Sequence, residues 1–328
     1  MSPRAAGRLT ESSLIRAVRQ RAAGGPGVRV GIGDDCAVLE PASGTLLLAT
    51  TDLLLEDVHF RRRYAEPADI GWKSVAVNLS DIASMGGRPR WALVALACPT
   101  GTSLEEAEAF YAGALALAGE HGVALVGGDT SVSPAGWLVN VTVLGEVTLA
   151  PVLRSTARLG DVVAVTGTVG RAAAGLAVLD RAKAPPGVPA EWLADVTGAH
   201  LRPRPRVAEG QWLASAGGVH LAEESGVGAR VEIERLPIAE STRGLARALG
   251  DDPLAWATGG GEDYELLLTS EPNAFSRLGE GLERATGARL SRIGEIVADG
   301  AVHFVDARGR ERPATPGFEH FAAERRRG

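Results

Sequence analysis

The sequence predicts a two-domain α/β (α+β) protein in which helices and strands alternate along the chain. With 328 residues, the chain is longer than one hydrophobic core usually serves. Segments with helical apolar spacing alternate with short apolar runs, and the pattern starts again after Pro151 with the strand-like segment DVVAVTG. We therefore expect one domain over residues 1–150 and an αβ domain over residues 151–328.

Three local signals predict the first elements. Residues 11–23 carry apolar side chains at helical spacing and end at a Gly-Gly pair, which is typical of a helix C-terminus. The run TLLLAT over residues 45–50 is continuous and apolar, as in a buried strand. Proline is favoured in the first turn of a helix, so Pro67 predicts a helix over residues 67–85.

The alternation continues to the end of the first domain. The segment WALVALACP predicts a strand. Ser103 and Glu106 have the spacing of a capping box, which predicts a helix that continues to about His121. The segments VALVGG and WLVNVTVLGEVTL then predict two further strands.

The second domain repeats the pattern at lower regularity. A helix is expected from about Gly170, followed by the proline-rich connector APPGVP and by another helix after Arg206. Several further alternations follow, so the segment has the composition of a second αβ domain.

Composition excludes several classes of protein. The net charge of −6 argues against nucleic-acid binding. The sequence shows neither a signal-peptide pattern nor an apolar stretch of membrane-spanning length, so we expect no membrane association and a cytoplasmic location. Cys36 and Cys98 lie far apart without metal-ligand spacing, which predicts apolar packing rather than a disulfide or a zinc site.

Carboxylates stand at the ends of several predicted elements. If they converge on one cleft, cations must balance their mutual repulsion, and hard oxygen ligands suit Mg²⁺, which bridges to substrate phosphates. The alternative is that each carboxylate caps a helix or forms a turn, and placement alone leaves both open. The residues concerned are Asp34, Asp35, Asp52, Asp129 and Asp263, the last beside Glu262, together with Asp81, which lies within a predicted helix.

The common phosphate-binding motifs do not occur in the sequence. It has no GxxxxGK[ST] loop and no HRD or DFG segment, and its lysines stand only at 73 and 183. GTVGRAAAG lacks the GxGxxG order and is read as a helix start. Phosphate binding would therefore depend on metal ions and arginines.

Seven segments, taken in order and spacing, closely resemble the thiamine-monophosphate kinase family. They are GIGDDCAVL, TTDLLLEDVHF, AVNLSDIASMGGRPRWALVALACP, VGGDTS, LRSTARLGDVVAVTGTVG, LRPRPRV and TGGGEDYELLLT. That family belongs to the superfamily of aminoimidazole ribonucleotide synthetase and selenophosphate synthetase. The resemblance implies transfer of the ATP γ-phosphoryl group to thiamine monophosphate. It also implies a homodimer in which N-terminal mixed sheets pair, with active sites between the two domains.

The resemblance also implies roles for individual residues, several of them catalytic: Asp35, Asp52, Asp81, Asp129 and Arg154. Several Mg²⁺ ions would be bound by Asp35, Thr50, Thr51, Asp52, Asp81 and Asp129, with Asp34 a further candidate. Gly128 and Asp129 would contact ATP, Arg154 its phosphates, and His59, Glu262 and Phe318 thiamine monophosphate. From sequence alone, His59 as a structural histidine, Arg154 as a surface charge and Phe318 as a core residue stay open alternatives.

One family motif, Asp-x-Ser-Asp-Gly-Leu, has no match in this sequence. The resemblance places it between Arg206 and Gly228, where it would supply two metal-binding aspartates and a serine that contacts ATP. Either the protein lacks the segment or the chain is interrupted near Gly217 to Val219, and we expect an interruption. Two alternatives for the function follow, a non-catalytic dimer that binds nucleotide or thiamine phosphate, and another ATP-using member of the superfamily.

Overall fold

The first domain is built, in its described residues, from three helices, a four-stranded sheet and a two-stranded sheet. The computed structural model describes residues 11–22, 24–32, 36–148, 150–181, 184–220, 225–313, 315 and 317. In chain order, the elements described up to residue 148 are α1 (Glu11–Arg21), β1 (Val28–Val30), β2 (Val38–Leu39), β3 (Leu46–Leu55), α2 (Pro67–Ser84), β4 (Arg88–Cys98), α3 (Leu104–Glu120), β5 (Ala124–Val132) and β6 (Leu138–Val147).

The first domain contains a mixed four-stranded sheet, as the resemblance implies. Its strand order is β3-β6-β4-β5, in which β4 and β5 are parallel and the other pairs antiparallel. Helices α2 and α3 cover one face, and the alternate residues Val139, Val141 and Val143 of β6 are buried beneath them. The opposite face carries Leu47 and Leu53, which are 52% and 47% exposed.

Two glycines allow α2 and α3 to pack with their backbones almost in contact. A Cβ atom added to Gly71 of α2 would lie 2.0 Å from the Phe110 carbonyl oxygen. A Cβ atom on Gly113 of α3 would lie 1.9 Å from the Ala68 carbonyl oxygen. Because neither backbone can move away without opening the core beneath, this crossing depends on glycine at both positions.

The second domain forms a separate seven-stranded sheet in the order β13-β12-β9-β11-β7-β10-β8, antiparallel except between β9 and β12. Its elements are β7 (Val162–Thr166), α4 (Arg171–Leu179), α5 (Ala190–Leu201), α6 (Val207–Ala216), β8 (Val219–His220), β9 (Gly228–Glu232), a 3₁₀ turn (Ile233–Arg235), α7 (Glu240–Leu249), α8 (Pro253–Gly259), β10 (Leu267–Ser270), α9 (Pro272–Thr286), β11 (Leu290–Val297), β12 (Val302–Val305) and β13 (Glu311–Arg312). The boundary near residue 150 stays a prediction; it falls between the two sheets.

Helix α2 also packs against the second domain. The Trp72 indole Nε1 donates a hydrogen bond to the Pro203 carbonyl oxygen at 2.9 Å. Gln211 of α6 donates to the Gly87 carbonyl oxygen at 3.1 Å, just after α2. Buried residues of both domains, such as Leu79 and Leu213, belong to one apolar core. The two domains are therefore joined through α2 rather than only through the connecting segment.

Two glycines join α6 to β8 at the place where an interruption is expected. Helix α6 ends at Ala216, and Gly217 and Gly218 follow with φ of 69° and 75° before β8 begins at Val219. Two successive glycines in the left-handed region make this short connection possible without strain. Helix α6 therefore joins β8 without the family segment, and the interruption expected near Gly217 to Val219 stays a prediction.

Several elements extend beyond their predicted ends. The buried strand predicted over residues 45–50 continues to Leu55, and the strand predicted from VALVGG continues to Val132. Both extensions carry polar residues that periodicity alone does not assign to a strand. Within the described part of the chain, none of the helices has the length and apolar character needed to cross a membrane.

We predict that Gly113→Ala destabilises the fold by about 2–4 kcal/mol, because its methyl group collides with the α2 backbone. Gly119→Ala is the matched control, since a Cβ at Gly119 of the same helix meets nothing within 4 Å. The control should gain up to about 1 kcal/mol from better helix propensity. Urea unfolding measures both, and equal effects at the two positions would contradict the close crossing.

Candidate active site

Two aspartates from different elements meet at one edge of the first sheet. Asp52 lies on the edge strand β3, and Asp81 lies near the C-terminal end of α2. The Thr50 hydroxyl donates a hydrogen bond to Asp81 Oδ2 at 2.5 Å. Burial, followed by the charge of Asp81, raises the pKa of Asp52 to about 6. The predicted ligands Thr50, Asp52 and Asp81 are therefore brought together in a partly buried group of oxygen donors.

A loop of the second domain approaches this group. Gly261, Glu262 and Tyr264 have φ of 63°, 61° and 51°, and such conformations are unfavourable for the two residues that are not glycine. Burial raises the pKa of Tyr264 well above its usual range, with further increases from the charges of Glu262, Asp52 and Asp81. Carboxylates of both domains thus lie near Tyr264, and we call this acidic region between the domains the interdomain cleft.

His59 and Glu262 are connected by a lysine that the sequence analysis did not assign to the site. Lys73 Nζ lies 2.8 Å from Glu262 Oε1 and donates to the His59 carbonyl oxygen at 3.2 Å. The His59 ring accepts a hydrogen bond at Nδ1 from the Leu55 amide at 3.0 Å. Lysine in the apolar helical run GWKSVAV was the signal that could have revealed this role, because such residues are rarely buried without a partner.

Asp263 does not join the acidic group. Its Oδ2 accepts from the Gly170 amide at 2.5 Å, and its Oδ1 accepts from the Ala172 amide at 2.8 Å, so it caps the N-terminus of α4. Burial is the main cause that raises its pKa. For this residue the interpretation as a helix cap, left open by the sequence, is correct.

Gly128 and Asp129 lie on β5, at the other edge of the sheet. Gly128 has φ of 156°, and a Cβ there would lie 1.9 Å from the Val94 carbonyl oxygen, which excludes other residues. A cavity of about 650 Å³ opens beside them, with an apolar wall that includes Leu14, Val18 and Tyr111. Its size and mixed lining are those of a small-molecule site.

The strand register separates Asp52 from Asp129 within one chain. Asp52, Val141, Val94 and Gly128 form one row across the sheet, so the two edges lie roughly 14 Å apart. Asp129 pairs with Ala95, in the next row along the strands. Among the described residues, no three His, Cys, Asp or Glu side chains are grouped closely enough to hold a metal ion.

The remaining predicted residues are placed as follows. Thr51 lies on the open face, where its hydroxyl contacts Asn140 and Thr142. Arg154 is exposed in the segment between the domains, and its carbonyl oxygen accepts from the Ser225 hydroxyl at 3.1 Å. Asp34, Asp35 and Phe318 lie outside the described residues.

Comparisons with known proteins identify the family. Residues 33–147 match the family described as AIR synthase related protein, N-terminal domain. The thiamine-monophosphate kinase of Bacillus subtilis is 37% identical over 276 residues, which cover 80% of this chain and 83% of that protein. This chain belongs to the thiamine-monophosphate kinase family. The family member of Salmonella typhimurium is 34% identical, with coverage of 90% and 93%.

Solved structures of this family match the fold. Thiamine-monophosphate kinase from Stenotrophomonas maltophilia superposes with a TM-score of 0.78 at 34% identity, covering 90% of this chain and 96% of that one. A structure described as AaThiL complexed with AMPPCP and TMP gives a TM-score of 0.72 at 30% identity, covering 95% and 97%. The predicted α/β fold is confirmed by these similarities.

We predict that Asp52→Asn stabilises the protein without Mg²⁺ by about 1–2 kcal/mol at pH 8, because the ionised carboxylate is disfavoured by burial and by Asp81. The pKa of Asp52 is raised in the folded state, so the native form loses stability as the pH rises from about 4 to 6. The gain in the variant should therefore vanish below about pH 4.

Thermal unfolding in EDTA at pH 4 and pH 8 measures this difference. Asp57→Asn, on an exposed turn, is the control and should change stability by less than about 0.5 kcal/mol. An Asp52→Asn protein that is less stable than the parent at pH 8 would refute the repulsion between Asp52 and Asp81.

Proposed function

We propose that this protein transfers the γ-phosphoryl group of ATP to the phosphate of thiamine monophosphate, giving thiamine diphosphate and ADP. The observation that carries the proposal is the interdomain cleft, where Asp52 and Asp81 face the Glu262 loop. Relatives named thiamine-monophosphate kinase and a similar structure with AMPPCP and TMP support it.

In this proposal, thiamine monophosphate, the phosphoryl acceptor, binds beside His59 and Glu262. Thiamine monophosphate carries a cationic thiazolium ring, and the Glu262 carboxylate supplies an opposite charge at the cleft. The acceptor phosphate is already ionised, so the reaction needs positioning and charge neutralisation more than a strong general base. Phe318 is proposed as a further contact on this side.

The donor set in the cleft fits magnesium. Asp52 and Asp81 are neighbouring carboxylates with a hydroxyl beside them, and burial together with the charge of Asp81 raises the pKa of Asp52. Mg²⁺ prefers such hard oxygen ligands and, when bound, neutralises charge on the transferred phosphoryl group. The residues proposed to hold the several ions are Asp34, Asp35, Thr50, Thr51, Asp52, Asp81 and Asp129.

ATP is proposed to bind along β5. Gly128 lines the cavity without a side chain, and the cavity has an apolar wall suited to a nucleobase. Asp129 would hold metal on the phosphates, and Arg154 would contact a phosphate directly. A reaction that consumes ATP accords with a cytoplasmic location, which stays a prediction.

We further propose a homodimer formed by the open face of the first sheet. That face presents Leu47 and Leu53 to solvent, together with partly exposed residues of β4 and β6. Asp52 and Asp129 cannot bind the same ion from opposite edges of one sheet. A symmetric pair can supply Asp52 from one chain and Asp129 from the partner subunit to one site.

We expect the purified protein to convert thiamine monophosphate and ATP to thiamine diphosphate in Mg²⁺, with complete loss of turnover in EDTA. Chromatography of the products measures the reaction. Asp81→Asn should lower kcat by at least about a hundredfold, because a ligand and its negative charge are removed. Binding of both substrates without product would contradict the proposal and support the non-catalytic dimer, since the family segment after α6 is absent.

We predict that Leu47→Arg converts the dimer to a monomer, because it places a charge in the apolar interface. Turnover should be lost as well, because each proposed site takes residues from both chains. Leu159→Arg is the control, since Leu159 of the second domain is similarly exposed at 62% but lies outside the open face. Light scattering gives the mass of each variant. A Leu47→Arg protein that stays dimeric would rule out this interface.

A further inference from the structure

Lys73 contacts both described residues that are proposed to bind thiamine monophosphate. Its ammonium group lies 2.8 Å from Glu262 Oε1 and 3.2 Å from the His59 carbonyl oxygen. His59 follows β3 of the first domain, whereas Glu262 belongs to the second. One charged group therefore fixes the spacing of two contacts that come from different domains.

The contact between Lys73 and Glu262 is enforced by burial. The Lys73 side chain is 3% exposed, and burial lowers its pKa while the Glu262 carboxylate raises it. A buried ammonium group is costly unless it is paired and hydrogen bonded, so Lys73 and Glu262 hold one another in place. This pairing also helps to keep the loop at Glu262 in its unfavourable left-handed conformation.

His200 completes the environment of Glu262 without adding charge. Its Nδ1 lies 3.4 Å from Glu262 Oε2, and its ring packs against Tyr64 with centroids 6.1 Å apart. Burial and the nearby Lys73 charge lower the pKa of His200 to about 3, so the ring is neutral at physiological pH. Within the described part of the chain, Lys73 is thus the cation that balances Glu262 at this side of the cleft.

We propose that Lys73 is a positioning residue for thiamine monophosphate, which holds the Glu262 carboxylate and the His59 backbone at the distance that the substrate requires. The inference rests on the proposed function and extends it. Lys73 itself is too buried to face solvent, so it acts on the substrate through Glu262 and His59. ATP binds along β5 in this account, so its binding should not depend on Lys73.

The test is the steady-state kinetics of Lys73→Met, which keeps the length of the side chain and removes its charge. We expect KM for thiamine monophosphate to rise roughly ten- to hundredfold, with KM for ATP changed less than about twofold. Arg202→Met is the matched control, because Arg202 also pairs across the domains, with Asp69, but its side chain is 51% exposed. It should leave both KM values within about twofold of the parent.

A second comparison separates positioning from general stability. Glu262→Gln removes the group through which Lys73 acts, so adding Lys73→Met to that variant should raise KM for thiamine monophosphate by less than about threefold. The double variant removes both charges together. Its comparison with Glu262→Gln therefore stays informative if the single Lys73→Met variant does not fold. Lys73→Arg restores the charge and should recover part of the affinity.

Two results would overturn the inference. One is a Lys73→Met enzyme whose KM values for both substrates are unchanged or rise equally. The other is an undiminished effect of Lys73→Met in the Glu262→Gln background. Turnover by the parent protein tests the proposed function, which is rejected if the parent shows no turnover. The ratio of the KM of the variant to the KM of the parent tests the role of Lys73 alone.

Discussion

The strand order of the first sheet is the constraint on which the rest of the molecule depends. Because β3 and β5 are its two edges, Asp52 and Asp129 are held apart by two central strands. Helices α2 and α3 cover one face, and the other presents leucines to solvent. A fold with carboxylates on both edges and an open apolar face suits a pair of sheets that completes each site with residues from both chains.

Helix α2 connects this sheet to the second domain. Gly71 of α2 lets α3 approach closely. At the other end of α2, Ala83 packs against Gly210 of α6, where an added Cβ atom would lie 2.0 Å from the Ala83 carbonyl oxygen. Lys73 and Asp81 stand about two turns apart on the same helix. One rigid element therefore sets the position of an aspartate of the proposed metal site and of the ammonium group that holds Glu262.

Much of the fold could be predicted from local chemistry. The capping box of Ser103 and Glu106 forms as expected, and Pro67 begins α2. Strand order could not be predicted, since it depends on contacts between distant segments. The capping of α4 by Asp263 and the ion pair between Lys73 and Glu262 could not be predicted either, because the partners lie far apart in the sequence. The substrate-binding roles of His59 and Glu262 were predicted from the family resemblance and not from the spacing of residues in the sequence.

The most direct test of the account is complementation between two inactive chains. Asp52→Asn and Asp129→Asn proteins, carrying different affinity tags, are refolded together, and the mixed dimer is purified and assayed with thiamine monophosphate, ATP and Mg²⁺. If each site takes Asp52 from one chain and Asp129 from the other, the mixed dimer has one intact site and about half the parent activity. If both aspartates act within one chain, every site is defective, and a mixed dimer without activity would contradict the account.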